Sequence, residues 1–319
     1  MKVILFLSGI LLTGLVSAQV ELPVSYTAPD ITGTVLRYQH FTSRYIGTRE
    51  IDIWLPPDYG RQKGQRYPVI YMYDGQMLFS GTLNTHHEDL GVDEVMTRLI
   101  TENKIHPAIV VGVWNAKEKR SQEYMPQKVA IAAQKDGKVN VMSIESSNGT
   151  LGNVSEALAR FFPGSSVVAK EVYSDQYLRF LVEELKPFVD RTYRTRSRRA
   201  DTYIMGSSLG ALLAVYTLAE YPRIFGGAAC MSTDWPAAEG ATIAYLNTHL
   251  PDPRRHRIYF DYGTEEHFEP YQSEMDKVMK VHGYVQGKNW ATRKFPSAAH
   301  DGNSWRQRID VPLTFLLKK

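Results

Sequence analysis

The chain has 319 residues, a formal net charge of +3, 43% hydrophobic and 22% charged residues, and one cysteine, Cys230. That length suffices for one large domain with a full core, and so small a charge gives no reason to invoke a nucleic-acid partner. A lone cysteine excludes an intramolecular disulfide and any metal site built on several thiolates.

In chain order, Met1-Lys2 precede an apolar run from Val3 to Val16, broken only by Ser8, Gly9, Thr13 and Gly14, which Ser17-Ala18 close. This pattern is a secretory signal peptide with cleavage expected after Ala18, and it falls short of the roughly 20 apolar residues of a membrane span. Residues 19–319 are then expected to form a single domain. The mature protein is expected in the periplasm or outside the cell, without stable membrane insertion.

Strands are predicted at Ile31 to Tyr38, at Arg49 to Leu55, where Pro56-Pro57 stop the run, at Arg66 to Tyr73 and at Ala108 to Trp114. Residues 129–172 break the pattern with Gln134-Lys135-Asp136-Gly137-Lys138, a stretch rich in Ser, Asn and Gly from Ser143 to Gly152, and Phe161 to Ser166. They read as an insertion too long for a plain loop, a candidate lid or surface decoration. From Asp175 to Asp190, Tyr177, Leu178, Leu181, Val182, Leu185 and Phe188 recur at three- and four-residue spacing, as on an amphipathic helix. The basic cluster Arg191, Arg194, Arg196, Arg198 and Arg199 has only Tyr193 interleaved, and reads as a solvated connection rather than a nucleic-acid surface.

Thr202 to Met205 is apolar, Gly206-Ser207-Ser208-Leu209-Gly210 follows, and Ala211 to Tyr216 continues as a helix. Further strands are predicted near Gly226 to Met231, with Cys230 buried, at His256 to Tyr262 and at Trp290 to Phe295, interleaved with helices at roughly 267–283 and 304–317. Strands alternating with helices imply an α/β fold, a mostly parallel sheet covered on both faces.

Strand, sharp turn and helix around Ser208 read as a nucleophile elbow; a solvated serine in a glycine-rich turn is the plainer alternative. A serine hydroxyl needs a base and a carboxylate that orients it, and in α/β-hydrolases these follow in the order Ser, acid, His. His300 lies in a small-residue loop after the last strand, which makes it the base candidate ahead of His267 and His282. The acid should follow the strand ending at Tyr262, where Glu266 is preferred, Glu265 comes second and Asp261 third. An oxyanion hole needs two N–H donors, one from Leu209 and one from Gln76 in the turn Tyr73-Asp74-Gly75-Gln76-Met77.

Tyr71-Met72-Tyr73-Asp74-Gly75-Gln76, Arg120-Ser121-Gln122-Glu123-Tyr124, Gly206 to Gly210, Gly263-Thr264-Glu265-Glu266 and His300 with Trp305 together resemble the putative-esterase family of α/β-hydrolases. The group includes esterase D, feruloyl and acetyl-xylan esterases, enterochelin esterases and mycolyltransferases. The resemblance covers nearly the whole mature chain and implies the α/β-hydrolase fold, Ser208 as nucleophile, His300 as base, an acid in the Gly263-Thr264 loop, and Leu209 and Gln76 at the oxyanion hole. It also puts Arg120 and Trp305 near substrate, although a structural pair of Arg120 with Glu123 explains the first equally well.

The expected function is a secreted serine carboxylic-ester hydrolase that works through an acyl-enzyme, needs no metal or organic cofactor, and acts on acetyl or feruloyl groups attached to carbohydrate, as small-molecule or polysaccharide-linked esters. A siderophore esterase, an acyltransferase of the same fold, and a non-catalytic carbohydrate-binding protein are the alternatives.

Overall fold

The computed structural model describes residues 22–26, 28, 30–83, 87–135 and 171–319. The expected signal peptide and residues 136–170 of the expected insertion lie outside the described residues.

Among the described residues nine strands form one mixed sheet: β1 (Val24–Tyr26), β2 (Thr34–Phe41), β3 (Arg49–Leu55), β4 (Val69–Tyr73), β5 (Ile109–Val113), β6 (Thr202–Ser207), β7 (Gly227–Met231), β8 (Arg257–Gly263) and β9 (Trp290–Phe295). Their spatial order is β1-β2-β3-β5-β4-β6-β7-β8-β9. The strands β1, β2, β3 and β5 pair antiparallel along one side, and from β5 to β9 every pairing is parallel. The central strands are short continuous apolar runs because helices cover both their faces. In β4, Val69, Tyr71 and Tyr73 enter one core cluster, and Ile70 and Met72 enter the other.

On the Ile70 face lie α1 (Val92–Thr101), through Val92, Met96 and Leu99, and the last helix, through Leu313, Leu316 and Leu317. The opposite face carries α2 (Arg120–Tyr124), α3 (Gln127–Lys135) and α4, which is α-helical over Ser174–Arg179, π-helical over Phe180–Leu185 and α-helical again over Lys186–Thr192. The same face carries α5 (Leu209–Glu220), α6 (Ala241–His249) and α7 (Glu269–Val281). In α4 the π-turn ends two residues before Pro187, which has no N–H to give the Glu183 carbonyl and whose ring crowds it.

The described start of the insertion expected at 129–172 lies in α3, whose Val129, Ala130 and Ala133 are buried in the molecule. One expectation is corrected. The single helix expected over 304–317 is two, α8 (Gly302–Arg306) and α9 (Asp310–Leu317). Pro312 cannot bond back to the carbonyl of Arg308, so the chain breaks there and restarts with the proline in the first turn, where no N–H is needed. Cys230 is buried in β7, as its apolar neighbours suggested, and burial pushes its thiol up.

Candidate active site

Ser208 stands between β6 and α5 with φ 58° and ψ −127°, a region L-residues rarely occupy, at a cost of about 1–3 kcal/mol. The surroundings enforce it. Its N–H donates to the Met231 carbonyl at 2.9 Å, and its own carbonyl accepts from Ala211 and Leu212. A side chain at Gly206 would place its Cβ 2.5 Å from the Gly210 carbonyl carbon and oxygen, so the turn closes only over glycine.

The last strand and its loop bring in the base. His300 Nε2 lies 2.7 Å from Ser208 Oγ, and both residues are buried. The imidazole is held edge-on by Phe268 (ring centroids 5.3 Å) and Trp305 (5.2 Å). Its other nitrogen, Nδ1, faces Glu266 Oε2 at 3.7 Å, longer than a hydrogen bond, and among the described residues neither atom has another partner. Glu266 is fully buried whereas Glu265 is exposed. Asp261 lies deeper in β8, where Arg308 Nε (3.3 Å) and Tyr259 OH (2.9 Å) donate to it, and burial pushes its carboxyl up to about 6. The acid loop and the histidine loop touch through backbone, since a Cβ at Gly263 would sit 2.0 Å from the Ala298 oxygen and Glu265 N–H donates to that oxygen at 3.2 Å.

Leu209 is the first residue of α5, so its N–H belongs to the helix-start donors that have no intrahelical acceptor. Gln76 is central in the 3₁₀ turn Gly75–Met77, which follows β4. Asp74 precedes that turn with φ 57° and anchors it: Arg120 Nε donates to Oδ1 and Arg120 Nη2 to Oδ2, each at 2.7 Å, and Asn115 Nδ2 donates to Oδ1 at 2.7 Å.

That arrangement corrects the reading of Arg120. Its partner is Asp74, not Glu123, which pairs with Arg49 at 2.5 Å, and a guanidinium only 3% exposed and bidentate on Asp74 supports the loop rather than a substrate. Trp305 is likewise buried: its ring packs on His300, and its Nε1 donates to Ser232 Oγ at 2.8 Å. Asp234, Ser232 and Arg308 were not singled out from the sequence. Asp234 follows β7, gives its N–H to the Ser208 carbonyl at 3.3 Å, and has its carboxyl raised by burial against the pull of His300 and Arg120. Polar Ser232-Thr233-Asp234 directly after a buried strand was the available signal.

Among the described residues no group of three His, Cys, Asp or Glu side chains is placed to hold a metal ion, and no helix is long and apolar enough to cross a membrane. A serine hydroxyl hydrogen-bonded to an imidazole that faces a buried carboxylate can perform nucleophilic acyl transfer.

Comparison with known proteins agrees with this chemistry. A family model described as "Putative esterase" matches residues 43–143 and 151–315. The uncharacterized protein YbbA of Bacillus subtilis is 19% identical over 247 residues, 76% of this chain and 80% of that one. Among solved structures, a ferulic acid esterase superposes with TM-score 0.59 at 15% identity, over 88% of this chain and 97% of its own. The enterobactin esterase FES of Shigella flexneri gives TM-score 0.60 at 16% identity, over 91% of this chain but only 60% of its own. BES protein from Bacillus cereus gives 0.57 at 17% identity, over 92% of this chain and 100% of its own. With the family matched over most of its length and the sheet and elbow of the α/β-hydrolase fold in place, the chain belongs to the putative-esterase family, serine carboxylic-ester hydrolases.

Proposed function

We propose that the protein is an exported serine esterase that cleaves acyl groups from carbohydrate through an acyl-enzyme. The observation that carries the catalytic part is the 2.7 Å contact of Ser208 Oγ with His300 Nε2, with Glu266 Oε2 facing Nδ1 on the far side of the ring. His300 Nε2 takes the hydroxyl proton as Oγ attacks the ester carbonyl, while the N–H groups of Leu209 and Gln76 receive the developing oxyanion. The same nitrogen returns the proton to the leaving alcohol. Water, deprotonated by His300, then releases the acid and restores Ser208. Glu266 keeps the Nδ1 proton in place and stabilises the imidazolium. The 3.7 Å gap is of the kind that closes when substrate binds. No step calls for a metal or organic cofactor.

The carbohydrate-linked substrate takes its support from the likeness to a ferulic acid esterase, which extends over 88% of this chain and 97% of that one. Export is supported by the pattern of residues 1–18, and mass spectrometry of the secreted protein should find Gln19 at its N-terminus. The deciding experiment is a panel of acetylated xylan, methyl ferulate and a siderophore ester, with products identified and the Ser208→Ala variant alongside. Release of acetate or ferulate by the wild type alone is expected. Turnover confined to the siderophore ester would reassign the substrate, and equal turnover by Ser208→Ala would remove the mechanism.

A further inference from the structure

Behind Glu266 lies a buried polar cluster that the acyl-transfer steps do not use. Glu266 Oε1, the oxygen turned away from His300, accepts from Ser232 Oγ at 2.5 Å and from Arg308 Nη2 at 3.2 Å. Ser232 Oγ in turn accepts from Arg308 Nη2 at 2.5 Å and from Trp305 Nε1 at 2.8 Å. Arg308 reaches on to Asp261 Oδ1 through Nε at 3.3 Å, and Asp261 Oδ1 also accepts from Ser232 N–H at 3.1 Å. Ser232 holds φ 46°, a conformation rare outside glycine. The side chains of Arg308, Glu266 and Asp261 are at most 2% exposed.

Two carboxylates in one dry pocket repel each other, and burial disfavours the charge of each. A single guanidinium lies against both. Trp305 joins the cluster to the base, since the ring that bonds Ser232 is the ring that packs on His300. A purely architectural ion pair would require neither a left-handed serine nor convergence on the one oxygen of Glu266 that His300 does not see.

We propose that Ser232 and Arg308 are positioning residues for the triad acid: they fix Oε1 of Glu266 so that Oε2 faces His300 Nδ1, with the Arg308 guanidinium set between Glu266 and Asp261. This rests on the reading of Ser208, His300 and Glu266 as the triad. The ionisable groups facing the cluster are Tyr259 and Asp261 of β8, Glu266, and His300, with Arg293 of β9 acting on Tyr259 and Asp234 on His300.

The test is the pH profile of kcat/KM on an aryl acetate for wild type, Ser232→Ala, Arg308→Met and the double variant Asp261→Asn/Arg308→Met, each checked by circular dichroism and thermal melting. Ser232→Ala should lower kcat by about ten- to a hundredfold with KM unchanged, the equivalent of one lost hydrogen bond to a charged group. Arg308→Met should move the acid limb up by about one to three pH units, because the buried carboxylates beside His300 lose their cation. Removing the rival carboxylate in the double variant should bring the limb back down, which loss of a packing role would not do. Each variant is also labelled with a fluorophosphonate. A labelled wild type together with an unmoved limb in Arg308→Met, no return in the double variant, or full kcat in Ser232→Ala overturns this proposal alone. An unlabelled wild type overturns the triad reading and this proposal with it. If Arg308→Met fails to fold, the Ser232→Ala arm decides.

Discussion

Replacing Asp74 by Asn separates what the oxyanion turn owes to its anchor from what the fold owes to it. The carboxylate takes two 2.7 Å bonds from Arg120 and a third from Asn115, and the side chains of the ion pair are 4% and 5% exposed. The amide keeps the size but loses the charge, and breaking a buried ion pair on one side costs about 3–5 kcal/mol. At about 2.1 cal/mol/K of unfolding entropy per residue, a domain of about 300 residues loses about 5–8 °C of Tm. The turn carrying Gln76 loosens with it, and losing one oxyanion donor costs about a hundred- to a thousandfold in kcat. In Asp74→Asn/Arg120→Met the buried cation is gone as well, so Tm should recover in part while kcat stays low. Differential scanning calorimetry and aryl acetate kinetics read the two effects separately. An Asp74→Asn variant with wild-type Tm and wild-type kcat would contradict both the buried pairing and its role at the turn.

Glu266→Gln should lower kcat strongly and Glu265→Gln should leave it near wild type, since only the first is buried against His300; a large loss confined to Glu265→Gln would move the acid. Gly206→Ala should displace the elbow and abolish ester turnover, because its Cβ falls 2.5 Å from Gly210, whereas Gly47→Ala, with nothing within 4 Å, should be silent in the same assay. The Asp261 carboxyl is raised in the fold to about 6 from its ordinary 3.8, so between those values the native state holds a proton that the unfolded chain releases. Stability from this group is therefore lost as pH rises from about 4 to 6, and Asp261→Asn should flatten that segment of a chemical-denaturation pH series. An unchanged slope would show Asp261 ionised throughout.

Much of this was legible in the chain because it rests on local rules. Continuous apolar runs such as Val69 to Tyr73 announce strands covered on both faces, and glycines at 206 and 210 announce a turn with no room for side chains. The order Ser208, Glu266, His300 follows from the order in which parallel strands deliver their loops to one edge. The illegible parts depend on pairings across the fold. Arg120 and Glu123 sit close enough in sequence to suggest each other, yet β4 delivers Asp74 to the first and β3 delivers Arg49 to the second. Arg308 falls within the helix expected at 304–317, but that helix breaks ahead of Pro312 and Arg308 meets Asp261 and Glu266 inside the molecule. Ser232 offered only its place in a polar run after β7, since its role comes from a strained turn and from Glu266, Trp305 and Arg308, all distant in sequence.

The central claim is that Ser208 is a nucleophile activated by His300. Intact-protein and peptide mass spectrometry after treatment with a fluorophosphonate tests it most directly. One adduct per chain is expected, localised to Ser208, lost in Ser208→Ala and much slowed in His300→Ala. An adduct at another residue, or none on a folded wild-type protein, would contradict it.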